Sequence, residues 1–445
     1  MSEQMKKTAK PITSVLPGFL ELLPAEQLIF DHLKGLIEES YRRFGFLPLD
    51  TPAIERAEVL LAKAGGETEK QIYRFNKGEN DLALRFDLTV PLARYVSEHL
   101  NDLDFPFRRY QIAKVYRGER PQKGRYREFY QCDIDVIGRN HLSLAVDAEL
   151  LALIYDIFSR LGLPSFQIRI NNRQLFSGLL ESLSLNSLSS DVLRVVDKID
   201  KVGREETEKS LADLGINGKS LSLLLDFISQ RGPAAVVFPF LESLKIENES
   251  FARGLNELKS LVSYLSDFSV PLENYVLDMS IARGLDYYTG TVCETFLLDY
   301  PQFGSICSGG RYNDLAGDFA GEALPGVGVS IGLTRLFTQL KDNGLLPEIS
   351  RSNIEVLVLP FDEAALPAAI FACQSIRKAG LAAEAYLEEV KFKNKLNYAN
   401  KRGVKRVVII GENEIKGSFY TLKDMESGEQ QELKLDDLLE YLKKK

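Results

Sequence analysis

The stretch 115–135 reads VYRGERPQKGRYREFYQCDID, and five Lys/Arg fall within the eleven residues from Arg117 to Arg127. Gly118, Pro121 and Gly124 interrupt that basic run. On either side, RRYQIAKVYR (108–117) and REFYQCDIDVIG (127–138) read as strands, so RGERPQKGRY between them is a hairpin loop. Side chains alternate along a strand. Arg127, Phe129, Gln131, Asp133 and Asp135 therefore share one face, and Tyr130, Cys132, Ile134 and Val136 the other. A face with a guanidinium, an aromatic ring, an amide and two carboxylates is costly to bury without partners. It suits a polar small molecule that carries a flat ring; a solvated antiparallel face is the competing reading.

Around this hairpin the chain is long and acidic. It has 445 residues, a net charge of −8, 45% hydrophobic and 27% charged residues, which predicts a soluble globular protein of two or three domains. The start, MSEQMKKTAKPITS, has lysines but no apolar segment behind them, and no stretch approaches twenty uncharged apolar residues. Neither a secretion signal nor a membrane span is expected, and a cytoplasmic location is. Four cysteines (Cys132, Cys293, Cys307, Cys373) lack CxxC spacing, and the three histidines (His32, His99, His141) are scattered. No metal site, disulfide framework or His-based triad is indicated. The acidity argues against blanket nucleic-acid binding, yet KFKNKLNYANKRGVKR (391–406) is a second cluster with seven basic residues and no acid.

The pattern along the chain is mixed. Residues 25–43 space Leu28, Ile29, His32, Leu33, Leu36 and Ile37 as an amphipathic helix, and FLPLDTPAIE (46–55) is extended. LALRFDLTVP (82–91) alternates as a strand, with Arg85, Asp87 and Thr89 on one side, followed by a helix with Pro91 in its first turn. A helix over 141–162 closes at Gly162, and about 175–268 is helical throughout, as an inserted module. Strand character returns over 274–299, then comes a Gly-rich turn at 305–317, then GVGVSIGLTRLFTQL (326–340) passing from strand to helix. Beyond a polar break, IEVLVLP, a helix, AAEAYLEE, a basic helix and RVVIIGE predict a β-α-β-α-β domain with a largely parallel sheet. No internal repeat is evident.

Further polar groups recur in these segments. IARGLDYYTG (281–290) sets Arg283, Tyr287 and Tyr288 beside glycines, although a Tyr-Tyr pair alone is more often core packing. SGGRYNDL offers Gly309 and Gly310 for close backbone approach, or an ordinary tight turn. Arg335 stands at the start of a helix behind a glycine-rich strand, with no GxxxxGK[ST] or GxGxxG pattern. A bound nucleotide would be held by isolated arginines, whose planar guanidinium suits phosphate oxygens.

Over nearly its full length the chain resembles the histidyl-tRNA synthetases, a class II aminoacyl-tRNA synthetase family. Motif 1 is similar to the helix and strand ending at Pro52, motif 2 to YRGERPQKGRYREFYQCDID, and motif 3 to GVGVSIGLTRL. RGLDYYTG (283–290) and SGGRYNDL (308–315) resemble the peptides of the histidine enzyme. RFDLT (85–89) has Asp87 where many bacterial members carry Glu, resembling the archaeal and eukaryotic form, whereas RPQKGRYR resembles the bacterial one.

The resemblance implies an α+β protein. A class II antiparallel sheet flanked by helices would occupy 1–345, with the helical insertion at about 175–268, and an α/β anticodon-binding domain 351–445. It implies ATP-dependent ligation of L-histidine to tRNA(His) through histidyl-adenylate, with Mg²⁺ accompanying ATP, in a homodimer. Arg117 and Arg283 would be catalytic. Arg117, Glu119, Phe129 and Arg335 would hold ATP, and Asp87, Thr89, Gln131, Asp135, Tyr287, Tyr288 and Tyr312 histidine. Arg120, Gln122, Lys123, Arg125 and Arg127 would meet the tRNA acceptor end. The rival is the histidine-sensing regulatory subunit of ATP phosphoribosyltransferase, which usually lacks the anticodon domain and erodes the ATP-binding arginines.

Overall fold

The computed structural model describes residues 13–62, 69–120, 124–281, 288–313, 321–349 and 352–444. They form two compact units, one made of residues up to Glu21 with Leu33–Leu346, the other of Leu22–His32 with Pro347–Lys445.

The first unit is built on strands β1 (Leu47–Pro48), β2 (Ile54–Arg56), β3 (Arg74–Lys77), β4 (Asn80–Leu84), β5 (Phe107–Tyr116), β6 (Glu128–Ile137), β7 (Phe166–Asn172), β8 (Arg231–Gly232), β9 (Tyr275–Asp278), β10 (Tyr288–Leu297), β11 (Cys307–Tyr312) and β12 (Gly326–Ile331). Nine of them make one sheet in the order β1-β5-β6-β12-β11-β10-β7-β9-β8, and β2-β4-β3 make a small one. The central ladders β5/β6, β6/β12, β12/β11 and β11/β10 are all antiparallel. Alternation along β6 is as expected: Cys132, Ile134 and Val136 are fully buried on the back of the sheet. There the Tyr41 hydroxyl, on helix Pro24–Arg43, donates to the Cys132 carbonyl at 2.9 Å. His32, placed on that helix's apolar stripe by its spacing, is exposed.

Two expectations change. LALRFDLTVP is not one strand: β4 stops at Leu84, and a helix begins at Thr89. Asp87 turns back to accept from the Val90 backbone N–H at 3.2 Å, closing the free end of that helix. Arg85 points elsewhere, donating to the carbonyls of Lys114 and Thr51. The Gly-rich segment expected as a turn contains β11, a central strand. Its glycines serve close approach: a Cβ on Gly309 would lie 2.2 Å from the Gly328 carbonyl oxygen on β12.

Between β7 and β9 the chain runs through six helices, Arg173–Ser182, Ser189–Val196, Ile199–Asp213, Gly218–Ile228, Ala234–Ser243 and Glu249–Asp267. The two-residue strand β8 interrupts them, against the all-helical reading. It pairs with β9 because Arg231 reaches Asp278, which is wholly buried, at 2.6 Å.

The C-terminal unit carries β13 (Val356–Pro360), β14 (Ala383–Ala385), β15 (Arg406–Ile410), β16 (Tyr420–Asp424) and β17 (Gln430–Leu433), ordered β14-β13-β15-β16-β17. The first three strands are parallel, as read from the sequence; β16 and β17 form an antiparallel hairpin that was not foreseen. The basic segment is helical over Phe392–Arg402 and stops at Gly403, whose φ of +67° is left-handed.

Candidate active site

The polar face of the central strands opens into a cavity of about 460 Å³. The turn before helix Thr89–Glu98 contributes Asp87 and the helix's first residue Thr89; β5 and its loop contribute Arg117 and Glu119. Phe129, Gln131 and Asp133 come from β6, Tyr288, Cys293 and Glu294 from β10, Ser308 and Gly309 from β11, and Ser330 from β12. Arg335 reaches in from the helix behind β12. A void of about 20 Å³, roughly the room of one water, adjoins it, shares Thr89, Asp133, Tyr288 and Ser330, and adds Asp135 and Tyr312.

Electrostatics divide this cavity into two ends. Arg117 donates from Nε to the Phe86 carbonyl at 3.0 Å, and its guanidinium lies 5.2 Å from the centre of the Phe129 ring. Arg335 is steadied by the Phe303 carbonyl, which also accepts from Gln339 at 3.0 Å. Glu119 faces Arg125 at 3.3 Å. This end offers three guanidinium groups, one of them paired with Glu119, and an aromatic face.

The other end is acidic. Asp87, Asp133 and Asp135 are 3%, 3% and 2% exposed. Burial, opposed by the Val90 N–H and by Arg117, pushes Asp87 up to about 6; burial, opposed by Arg109, pushes Asp135 up to about 7. Asp133 is raised too, chiefly by burial, although Arg109 and Ser330 pull it down. Three buried acceptors, Asp87 Oδ2, Gln131 Oε1 and Asp133 Oδ1, have no hydrogen-bond partner. Gln131 Nε2 meanwhile donates to Ser330 Oγ at 2.9 Å, which fixes which end of the amide is the open acceptor. Asp135 is held at both oxygens: Arg109 reaches Oδ2 at 2.6 Å, and the Tyr312 hydroxyl donates to Oδ1 at 2.9 Å. Room for these groups depends on glycine. A Cβ on Gly328 would fall 2.0 Å from Asp135 Oδ1, and one on Gly326 would fall 2.3 Å from the Tyr312 ring.

Of the residues picked out in the sequence, Asp87, Thr89, Arg117, Glu119, Phe129, Gln131, Asp135, Tyr288, Tyr312, Arg335 and Arg125 line these two spaces. Arg127 does not. It precedes β6, and its Nε donates to the Glu119 carbonyl at 3.0 Å while its stem packs on Gly18. Arg120 is exposed on the loop. Gln122, Lys123, Arg283 and Tyr287 lie outside the described residues. Sequence reasoning placed Asp133 on the ligand face without assigning it a partner, and it passed over Arg109. The hairpin register held the signal. Arg117 N–H bonds the Arg127 carbonyl, so counting back along both strands sets Arg109 opposite Asp135.

An antiparallel sheet with an arginine-lined, ring-faced polar surface, beside a separate α/β unit, is an architecture of the class II aminoacyl-tRNA synthetase type. The profile of histidyl-tRNA synthetases matches residues 18–336, and that of an anticodon-binding domain matches 355–445. The chain belongs to the histidyl-tRNA synthetase family. A histidine–tRNA ligase of Clostridium tetani is 50% identical over 439 residues, 98% of this chain and 99% of its own. That of Finegoldia magna is 46% identical over 430 residues, 97% of this chain and 99% of its own. The crystal structure of histidyl-tRNA synthetase from a Nostoc species superposes with a TM-score of 0.89 at 40% identity, covering 98% of this chain and 99% of that one. A Bacillus halodurans structure described as an ATP phosphoribosyltransferase regulatory subunit/histidyl-tRNA synthetase reaches a TM-score of 0.75 at 22% identity, covering 90% and 99%, a likeness of fold alone.

Proposed function

We propose that the protein ligates L-histidine to tRNA(His). A histidine carboxylate oxygen attacks the α-phosphorus of ATP and pyrophosphate leaves; a terminal ribose hydroxyl of the tRNA then attacks the carbonyl of the adenylate, and AMP leaves. The observation that carries this reading is the trio of buried, unpartnered acceptors on Asp87, Gln131 and Asp133. An α-ammonium group has three N–H donors, and its charge answers the surplus of carboxylates. Thr89 borders the same corner. The imidazole enters beside Asp135, Tyr288 and Tyr312, with Tyr287 joining them on the strength of the family resemblance.

ATP occupies the arginine end. Its purine stacks on Phe129, Glu119 takes the adenine amino group, Arg117 bridges the α-phosphate and the histidine carboxylate, and Arg335 holds the γ-phosphate. By resemblance Arg283 stabilises charge on the α-phosphate as it becomes pentavalent. Fixed guanidinium groups aimed at developing charge suffice for this displacement, without a proton-transfer residue. Mg²⁺ would enter with ATP as part of the substrate, held by phosphate oxygens and water.

The loop residues Arg120, Gln122, Lys123 and Arg125 are assigned to the tRNA acceptor end. Arg127 supports the loop through its bond to the Glu119 carbonyl. We assign 1–345 to catalysis, about 175–268 to an insertion that arches over tRNA, and 351–445 to the anticodon. A homodimer in the cytoplasm fits the family, and no helix among the described residues is long and apolar enough to cross a membrane. The regulatory-subunit reading fits less well, since Arg117 and Arg335 line the cavity and the C-terminal unit is present. Pyrophosphate exchange measured across the twenty amino acids tests the reading. Exchange with histidine alone is expected; histidine binding without exchange would favour the sensor, and exchange with another amino acid would overturn the substrate.

A further inference from the structure

Arg109 stands on the strand next to the histidine corner and lines neither cavity. It is wholly buried, directly across the β5/β6 ladder from Asp135, and its Nη2 sits 2.6 Å from Asp135 Oδ2. The same nitrogen donates to the Leu88 carbonyl at 3.1 Å, while Nε and Nη1 have no partner. A buried guanidinium with unsatisfied donors is a poor structural brace, because a well-packed apolar pair would hold the two strands at less cost. Its benefit has to come from what it does to its neighbour.

On the reading proposed above, we propose that Arg109 is the positioning residue for imidazole selection, holding Asp135 as an aimed, ionised acceptor for a ring N–H. The geometry leaves Asp135 little freedom. Arg109 fixes one oxygen, the Tyr312 hydroxyl fixes the other, and Gly328 across the next ladder is the only residue type whose side chain leaves the carboxylate room. A carboxylate has about four lone-pair sites, so two remain for a ligand.

Charge decides the rest. The groups facing Asp135 are Arg109 on β5, Asp133 on β6, Asp87 and, through the cavity, Arg117, together with the phenols of Tyr288 and Tyr312. Three acids crowded in one corner cannot all stay ionised without a buried cation. With Arg109 gone, Asp135 stays protonated to higher pH, and a neutral carboxyl is a weaker and less firmly aimed acceptor for the ring N–H. One of the two contacts that distinguish the histidine ring is then weakened.

The test is a cycle of Arg109→Met and Asp135→Asn, singly and together, with Arg109→Lys as the conservative variant. KM for histidine and for ATP are read from pyrophosphate exchange between pH 6 and 8.5. Arg109→Met should raise the histidine KM by about 10–100-fold at pH 7, the size of one lost charged hydrogen bond. It should leave the ATP KM within about twofold, and its deficit should shrink as pH rises. Arg109→Lys should recover part of the loss. In the Asp135→Asn background, Arg109→Met should cost nothing further, because the group it acts through is already neutral. Multiplying effects, equal losses for histidine and ATP, or a deficit independent of pH would each overturn the proposal. Should Arg109→Met alone not fold, the double variant removes both charges together, and its comparison with Asp135→Asn decides. A wild-type protein that shows no exchange with histidine would instead sink the function proposed above and leave the ion pair unexplained.

Discussion

Asp133 and Lys395 are equally buried, each 3% exposed, in different units of the molecule. Lys395 donates from Nζ to the Pro360 carbonyl at 2.8 Å and lies 5.9 Å from the Tyr386 ring, so its charge is answered within the fold. Asp133 keeps one oxygen with no partner. The same contrast holds more widely among the described residues. Apart from Arg402 Nε, every buried side-chain atom without a partner belongs to the first unit, several of them on the cavity wall. A satisfied buried charge is part of the scaffold. An unsatisfied one, set where a ligand can enter, costs stability until the ligand arrives.

On that distinction, the largest functional effect belongs to Arg117, the guanidinium proposed to hold the α-phosphate. Arg117→Ala should lower pyrophosphate exchange by about 10²–10³-fold or more, whereas Lys395→Met should leave it unchanged. Circular dichroism of both variants checks that each has folded. Comparable losses from the two substitutions would erase the contrast between scaffold and site.

Asp133→Asn comes next. It should raise the histidine KM by about 10–100-fold, as expected for a hydrogen bond to a charged group. It should also stabilise the free protein above neutral pH. Burial raises the Asp133 carboxyl above its unfolded value, so the native state holds a proton that the unfolded chain has released. Stability then falls as pH rises from about 4 upward. Removing the charge should raise Tm by about 2–4 °C at pH 8 and by nothing at pH 4, read by differential scanning calorimetry. A lower Tm at pH 8 would mean that Asp133 is structural.

These residues also show what the sequence could carry. Strand alternation put Phe129, Gln131, Asp133 and Asp135 on one face, and the cavity is lined accordingly. It misjudged Asp87 and Thr89, which reach the cavity from a turn and a helix start, because period-two alternation cannot reveal where a ladder ends. It read Gly309 and Gly310 as a turn, since glycine permits both turns and tight strand packing, and only the neighbouring strands decide. Arg109 was legible only through register, which depends on knowing that the hairpin is regular.

The acidic corner should also give histidine binding a pH dependence. Ionised carboxylates receive an ammonium; protonated ones do not. With Asp87 at about 6 and Asp135 at about 7 in the free protein, the histidine KM should fall by about tenfold between pH 5.5 and 7.5. The imidazole of free histidine titrates near 6.5 as well, so the wild-type curve alone is ambiguous. Asp87→Asn separates the sources: a limb that belongs to the protein changes in the variant, and one that belongs to the ligand stays. An unchanged limb would mean that Asp87 is already ionised in the free protein.

The smallest effect is expected on the C-terminal unit, whose proposed contact with tRNA is through exposed charge. Of the seven basic residues in 391–406, Lys395 is buried, Arg402 faces Glu384 at 3.4 Å and Lys405 faces Glu426 at 3.5 Å. Lys393 and Lys401 are exposed on the helix Phe392–Arg402 and form no ion pair among the described residues. Arg406 lies over the Tyr441 ring. With the exposed Lys391 just before the helix, Lys393 and Lys401 are the lysines proposed to meet tRNA phosphates. Each neutralised phosphate contributes about 0.7–0.9 to the slope of log affinity against log salt. Lys393→Gln with Lys401→Gln should therefore weaken tRNA binding a few-fold and flatten that slope by about 1–2. Histidine-dependent pyrophosphate exchange should not change, because the cavity and all its lining residues lie before residue 336. Lys395→Met is the internal control, expected to leave the salt slope intact despite removing the same charge. Equal flattening by Lys395→Met would show that net charge, rather than the exposed helix face, governs the contact with tRNA.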